Sequence, residues 1–353
     1  DTARKILALA EKHGLKVMLN THLLGFYYHN FTTFQQAENL ARRTVNEIGD
    51  SPALLGYVLK DEPLLCSLAQ CNFFYRLMKQ ADPGRDSAAI VMNRQSESFL
   101  MESDLPVICS DIYYFGHDKS TNIPNPVGVS QKEFSRAVGG LNKTAARSGK
   151  HSWLMPQMFG DVWGRHYLKN DKMVVEPGSY LHWRMPTEAE TRWQIWEGIR
   201  LGSTGMIFYV LYPPIPLQIP PEAVKPGTPE AKRLASMDEL AAKAATWKHQ
   251  ELTGKRLEID PGEGVMKPGG QPTPQMRTMG ENFAVLRKYA ELLAARKQAP
   301  FPVIFAGDAA TAVSTFEVPG DYARRWGVVV NNDLNNIRAV KVTTAPNVKR
   351  VVN

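Results

Sequence analysis

Cysteine is scarce in this chain of 353 residues. Cys66, Cys71 and Cys109 are the only three, and none has the spacing of zinc ligands. Cys109 lies in an apolar run and reads as core. Cys66 and Cys71 either pair, if the chain is exported, or are both free. A stretch of about 18 apolar residues is also missing, which argues against a membrane-spanning helix. The longest apolar-rich run, 206–211, is strand-sized. There is no Lys/Arg run of five or more and no nucleic-acid-binding motif, so nucleic acid is not an expected partner even at a net charge of +7. That charge leaves an acidic or sulfated polysaccharide open as a partner. The histidines are scattered, so neither a metal nor a cofactor is expected. The chain opens without a start Met or a basic leader, which leaves export open; a secreted or periplasmic location is the expectation.

What the chain does have is alternation of strand and helix through its first two-thirds, the pattern of a parallel α/β sheet. Six runs read as strands: 16–20 (KVMLN), 53–60 (ALLGYVLK), 88–92 (AAIVM), 106–113 (PVICSDIY), 152–158 (SWLMPQM) and 204–209 (TGMIFY). Their nearly continuous apolar character fits strands buried on both faces. Capping boxes are expected at Thr33 with Gln36, Ser130 with Glu133, and Thr187 with Glu190. The helical stripes Phe134, Val138, Leu141 and Trp193, Trp196, Ile199 read as packing surface rather than ligand contacts. Six strands are two short of a closed (β/α)8 TIM-type barrel. The missing pair is expected before Asp1, with an open doubly wound sheet or a true six-strand variant as alternatives.

Beyond Tyr212 a Pro-rich stretch reads as a loop over the barrel mouth, 236–250 and 281–297 as helices, and 262–274 as another loop. From Phe301 the texture becomes short alternating runs at 313–318, 326–331 and 339–343, which predicts a small antiparallel β domain. The expected division is a barrel over 1–300 and a partial β domain over 301–353.

In a parallel barrel, function collects at the carboxyl ends of the strands. Read in order, those ends offer Asn20, Thr21 and His22; Lys60, Asp61 and Glu62; Asn93 and Arg94; Asp111, Tyr113 and Tyr114; Gln157, followed by Asp161 and Trp163; and Tyr209 with Tyr212. Carboxylates, amides and basic groups suit sugar hydroxyls, and aromatic rings suit sugar C–H faces. No Gly-rich phosphate loop follows any of these strands, so a carbohydrate fits better than a nucleotide.

GYVLKDEP at 56–63 resembles the strand-four motif of clan A glycoside hydrolases, with Asp61 where that motif usually has Asn. SDIYYF at 110–115 resembles the clan's strand-six motif, with Tyr114 in place of Pro. The run 184–212 resembles its last helix and strand eight, and NNDLNN at 331–336 a turn in its C-terminal β domain. The resemblance implies a barrel glycosidase in which Glu62 is the general acid/base. It also implies a nucleophilic Glu at the end of strand seven, where this chain has Gln157, an amide that cannot serve. Asp111 is the substitute, either as second carboxylate or as an orienter of hydroxyls, with Asp161 and Glu176 as outsiders.

Chemistry supports Glu62 independently, because glycosidic cleavage needs a carboxylic acid at the leaving oxygen and a second group at the sugar. The bland alternative is that Asp61 and Glu62 only favour the start of the next helix. Asn20, His22, Lys60, Asp61, Asn93, Tyr113, Gln157, Asp161, Trp163, Arg184 and Tyr209 are the candidate sugar contacts. Because strands four and six are not adjacent, Glu62 and Asp111 are expected to face each other across the mouth, at the longer separation typical of inversion. The competing readings are a carbohydrate-binding pseudoenzyme without its nucleophile and a polysaccharide lyase.

Overall fold

The computed structural model describes residues 2–21, 33–116, 127–170, 172–209, 216–246, 256–259, 266, 270–318, 320–336 and 339–351. In chain order the elements begin with α1 (Thr2–Lys12), β1 (Val17–Asn20), α2 (Phe34–Ile48), β2 (Leu54–Asp61), α3 (Leu68–Ala81), β3 (Asp86–Met92), α4 (Asn93–Glu102) and β4 (Val107–Ile112). They continue with α5 (Val127–Arg147), β5 (His151–Pro156), β6 (Asp161–Trp163), β7 (His166–Lys169), β8 (Lys172–Val175), β9 (Tyr180–Trp183), α6 (Glu188–Leu201) and β10 (Gly205–Met206). The last are α7 (Pro229–Thr246), β11 (Leu257–Ile259), α8 (Pro274–Lys288), α9 (Ala290–Ala294), β12 (Lys297–Gln298), β13 (Ile304–Ala306), β14 (Thr311–Val318), β15 (Asp321–Asn331) and β16 (Val342–Thr344). Among the described residues no helix is long and apolar enough to cross a membrane.

The chain divides into two compact units. The first holds residues 1–112, 137–155 and 203–207. Its centre is a six-stranded sheet in the order β1-β2-β3-β4-β5-β10, formed by the six runs read as strands in the sequence. The pairs β1–β2, β2–β3, β3–β4 and β5–β10 are parallel. Spatial order follows chain order throughout, so the sheet has no reversal point of the kind that defines a doubly wound fold. That is the winding of a (β/α) barrel, although β1 and β10 remain the two edges and these six strands do not close one.

Burial follows the apolar runs. Ala88, Ala89, Val91, Ile108 and Cys109 are buried, as are Leu77 and Met78 of α3 and Phe99 and Leu100 of α4. At the amino ends of the strands, Tyr57 donates to Asp82 at 2.8 Å and Arg85 reaches the same carboxylate at 3.0 Å. Arg85 also donates to the carbonyls of Leu54 and Ser51. This buried network ties β2, α3 and β3 at the end of the sheet away from Glu62.

The second unit holds residues 113–136, 156–202 and 208–353. It contains the β6–β9 hairpin, a β11-β8-β7 sheet, a β12-β14-β15 sheet and the β13–β16 pair. Tyr167, Val174, Leu217 and Met237 form a small core. Phe134 packs on Trp193 with ring centroids 5.0 Å apart, and Phe316 stacks on Trp326 at 4.7 Å, so the helical aromatic stripe does serve as packing surface. Glu197 is buried, paired with Arg200 at 2.6 Å, and accepts from Ser135. Trp193 donates to the Asn332 side chain at 2.9 Å, tying α6 to the turn after β15.

The capping boxes at Thr33 and Thr187 are both complete. α5 runs from Val127, so the Ser130 backbone lies within the helix rather than ahead of it. The sequence just ahead, Asn125-Pro126, carries an earlier start signal of its own. In the same way α7 starts at Pro229 rather than near 236, where the Thr228 hydroxyl accepts from the Ala231 amide and proline fits the first helical position. All three cysteines are free, Cys66 exposed and Cys71 and Cys109 buried.

Candidate functional site

Three neighbouring strand ends build the centre of the first unit's candidate site. Asp61 pairs with Ile90, Ile90 with Cys109, and Met92 with Asp111. Partners in a parallel pair point to one face, as do residues two apart, so Asp61, Cys109 and Asp111 share a face of the sheet. Continued alternation would send Glu62 to the opposite face. Instead the Glu62 amide donates to the Ile90 carbonyl at 2.8 Å, and the residue then adopts φ +44°, in the left-handed region that side chains seldom enter. From this turn the Glu62 carboxyl reaches the side chain of Asp111.

The contact corrects the expectation of two carboxyl groups facing each other across a gap. Two carboxylates so close repel each other, and the buried Asp111 keeps its proton. Asp111 is 9% exposed, and its acid constant is pushed up to about 8. Burial is the main cause. The hydrogen bond and charge of Glu62 come next, Asp61 adds to them, and the residue's own backbone amide opposes. Asp61 is raised too, first by loss of hydration and then by the Glu62 charge, with Lys60 opposing. Burial chiefly, with the charges of Asp111 and Asp61, pushes the Cys109 thiol far above its ordinary range, which makes it an inert floor rather than a nucleophile.

A left-handed conformation outside glycine costs about 1–2 kcal/mol and persists only where its surroundings impose it. Glu62→Gly is therefore expected to stabilise the fold by about 1 kcal/mol, net of the extra chain entropy of glycine, while removing the carboxyl. Urea unfolding of the two proteins side by side checks this. A glycine variant less stable than the native chain would mean that the Asp111 contact outweighs the strain.

Asn20 and Lys60, at the ends of β1 and β2, are half-buried in the same unit, and Thr21 donates to the Val58 and Leu59 carbonyls at 3.2 Å. Arg94 lies with Nη2 3.8 Å from the Met92 sulfur. Asn93 is the first residue of α4, while His22 and Tyr212 lie outside the described residues. Among the described residues no group of three or more His, Cys, Asp or Glu side chains is placed to hold a metal ion.

The remaining candidates belong to the second unit, and most have internal partners. Gln157 is 0% exposed. Its Oε1 accepts from the Phe115 amide at 2.9 Å, and its Nε2 donates to the carbonyls of Phe115 at 2.9 Å, Arg184 at 2.8 Å and Phe159 at 3.3 Å. Its backbone exchanges two hydrogen bonds with the Gln194 side chain. Gln157 is thus a clasp between chain segments. Arg184 forms a two-pronged pair with buried Glu190 at 2.6 and 2.7 Å and sits over the Phe115 ring. Asp161 accepts from the Trp163 indole at 2.6 Å and from the Trp183 amide at 3.0 Å, while Lys243 lies 5.5 Å from the Trp163 ring centre. Glu176 pairs with Arg256 at 2.9 Å.

Tyr113 and Tyr209 join an aromatic run that sequence reading only half found. Tyr209 meets Phe159 edge-on at 5.2 Å, Phe159 meets Tyr113 at 5.0 Å, and Tyr113 lies 6.2 Å from Trp183. Phe159 was the findable member, since it stands two residues beyond Gln157 at a strand end.

Solved structures whose backbone path overlaps this chain include glycoside hydrolases. One is a β-glucuronidase from Ruminococcus gnavus, at 9% identity and TM-score 0.45, overlapping 79% of this chain and 42% of its own. A GH2 β-galacturonidase from Eisenbergiella tayi, bound to galacturonate, overlaps 79% and 42% at 13% identity and TM-score 0.43. A β-D-glucuronidase of Dictyoglomus thermophilum overlaps 80% and 42% at 12% identity and TM-score 0.44. The chain therefore spans less than half the length of these proteins, and overlaps this loose carry no argument about activity or substrate. No protein-family profile matches the sequence, and no curated protein is similar to it at a significant level.

Proposed function

We propose that this chain is the acid-bearing part of a glycoside hydrolase that cleaves O-glycosidic bonds in a poly- or oligosaccharide. The observation that carries the reading is the placement of Glu62 beside Asp111 at the carboxyl ends of β2 and β4, where buried Asp111 keeps its proton at neutral pH. Asp111 is buried and Glu62 exposed, so the held proton leaves through Glu62. Delivered to the leaving oxygen as the C–O bond breaks, it is replaced from the water whose hydroxyl adds to the sugar, and the pair returns to its starting state. Strain at Glu62 is of the kind stored where a side chain must be aimed for function. The aromatic run through Tyr113 and Tyr209 supports a carbohydrate partner, and the net charge of +7 supports an acidic or sulfated one.

The test is turnover of a panel of 4-nitrophenyl glycosides, neutral and uronic, together with sulfated and unsulfated polysaccharides. General acid catalysis contributes about 10²–10⁴-fold, so Glu62→Gln should lower kcat/KM by that factor on substrates with poor leaving groups. Unchanged turnover in that variant would refute the assignment of Glu62. One observation favours the second reading, a carbohydrate-binding protein without catalysis: Gln157 stands where the resemblance places a nucleophile, and it is locked into backbone contacts. Saturable glycan binding by calorimetry with no product from any substrate would establish that reading instead.

A further inference from the structure

We propose that Arg94 is the residue by which this site selects an acidic sugar, its guanidinium pairing with the carboxylate or sulfate of the ring held beside Glu62. The inference rests on the glycosidase reading for what is held there, and on the structure for the place. Met92, which closes β3, is level with Asp111, so its side chain lies on the Asp111 face of the sheet. Arg94 follows two residues later in the first turn of α4, and its Nη2 returns to within 3.8 Å of the Met92 sulfur. The guanidinium is thereby set on that face at the end of β3. The same strand end supports Glu62, whose amide donates to the Ile90 carbonyl at 2.8 Å. Arg94, Asp61 and Glu62 are all exposed, so each is open to a ligand from solvent.

What Arg94 leaves unused points to an anion. A guanidinium carries five N–H donors, and the Met92 sulfur takes one of them weakly. Among the described residues Arg94 has no carboxylate partner, although Asp61 and Glu62 stand at the end of the adjacent β2. Helix stability does not account for the residue either. A cation in the first turn faces the positive pole of α4, and that turn holds no acidic residue to offset it. The charges of the rim give such a cation a use. Exposed Asp61 and Glu62 repel a uronate or a sulfated sugar, Lys60 already offsets Asp61, and Asn20 and Thr21 at the end of β1 carry no charge. The planar fork of a guanidinium meets a carboxylate or sulfate through two parallel hydrogen bonds, which a neutral hydroxymethyl group cannot match.

The test is ligand-observed NMR titration of the full chain, native and as Arg94→Met and Arg94→Lys. The probes are methyl glucuronide, methyl galacturonide and sulfated methyl galactoside against methyl glucoside and methyl galactoside. The native chain should bind the acidic probes more tightly than the neutral ones. Arg94→Met should weaken the acidic probes by about 10–100-fold, as expected for the loss of a charge-assisted, two-pronged pair, and leave the neutral ones within about twofold. Arg94→Lys should recover part of the loss, because lysine keeps the charge without the fork. The anion whose affinity falls more in Arg94→Met, carboxylate or sulfate, is the one the site takes. A native chain with no preference for the acidic probes, or acidic and neutral affinities that fall together in Arg94→Met, overturns the proposal. Arg94→Gln replaces Arg94→Met if the latter does not fold. Turnover of the matching 4-nitrophenyl glycosides keeps the two readings apart. A neutral glycoside cleaved as fast as an acidic one, with Glu62→Gln inactive on both, refutes the role of Arg94 and leaves the acid in place. Binding of acidic probes that depends on Arg94, with no glycoside turned over, refutes hydrolysis and leaves the acidic-sugar site.

Discussion

Asp111→Asn is expected to be about as stable as the native chain at pH 4 and clearly more stable at pH 9. In the folded protein Asp111 keeps its proton to about pH 8, whereas an unfolded aspartate releases it near pH ~3.9. Between those values the folded state binds more protons than the unfolded one, so stability falls as pH rises. The contribution is fully present below pH ~4 and is lost by the time the pH has passed the folded value. Asparagine does not titrate and can still donate a hydrogen bond to Glu62, so it has no such slope. The gap at pH 9 should be on the order of a few kcal/mol. Urea unfolding at pH 4.5, 7 and 9 measures it, and parallel profiles for the two proteins would show that Asp111 is already ionised in the folded state.

Gln157→Leu should destabilise the protein by about 3 kcal/mol, because it leaves the Phe115 amide without its acceptor and takes a donor from the carbonyls of Phe115, Phe159 and Arg184, of which Phe115 keeps the Arg184 amide. Gln157→Glu should be at least as damaging at neutral pH. A carboxylate accepts from the Phe115 amide but has nothing to donate to the carbonyls of Phe115, Phe159 and Arg184, and it would be buried next to them. Installing a carboxylate at the end of β5 is therefore expected to loosen the fold rather than to supply a nucleophile. Thermal unfolding and amide exchange at Phe115 give the readout. A native-like melting point for Gln157→Glu, with Phe115 still protected, would show that the clasp is dispensable.

Much of the first unit was legible because strands buried on both faces must be nearly continuous apolar runs, and all six such runs pair in one sheet. Glu62 was legible as a strand end closed by proline. Its partner distance was not, since strand alternation puts Glu62 on the wrong face and nothing in the residue type announces a left-handed turn. Gln157 was read by what it replaced in a motif, whereas its hydrogen bonds run to chain segments 42 and 27 residues away, which local pattern does not reveal. The hydrogen bonds that tie Asp161 to Trp163 and Arg184 to Glu190 were not legible, because polar and aromatic residues in a loop carry no mark of their partners. The hairpin of β6 and β9 was missed for a related reason. Its strands are three and four residues long, too short for alternation to register.

The sequential winding of the parallel sheet also orders the events by which it assembles. Closing a short stretch of chain costs less entropy than closing a long one, and pairings with short separations form early. Fourteen residues separate Met92 from Val107, the least of any neighbouring pair in this sheet, whereas 48 separate Pro156 from Gly205. Folding is therefore expected to nucleate on β3 and β4, joined by α4, with β10 arriving last because the whole of β6 to α6 must be looped out before it can dock. The final strand to arrive is also the shortest, with two residues in the ladder, so the β5–β10 edge is where the sheet should open first under load or heat.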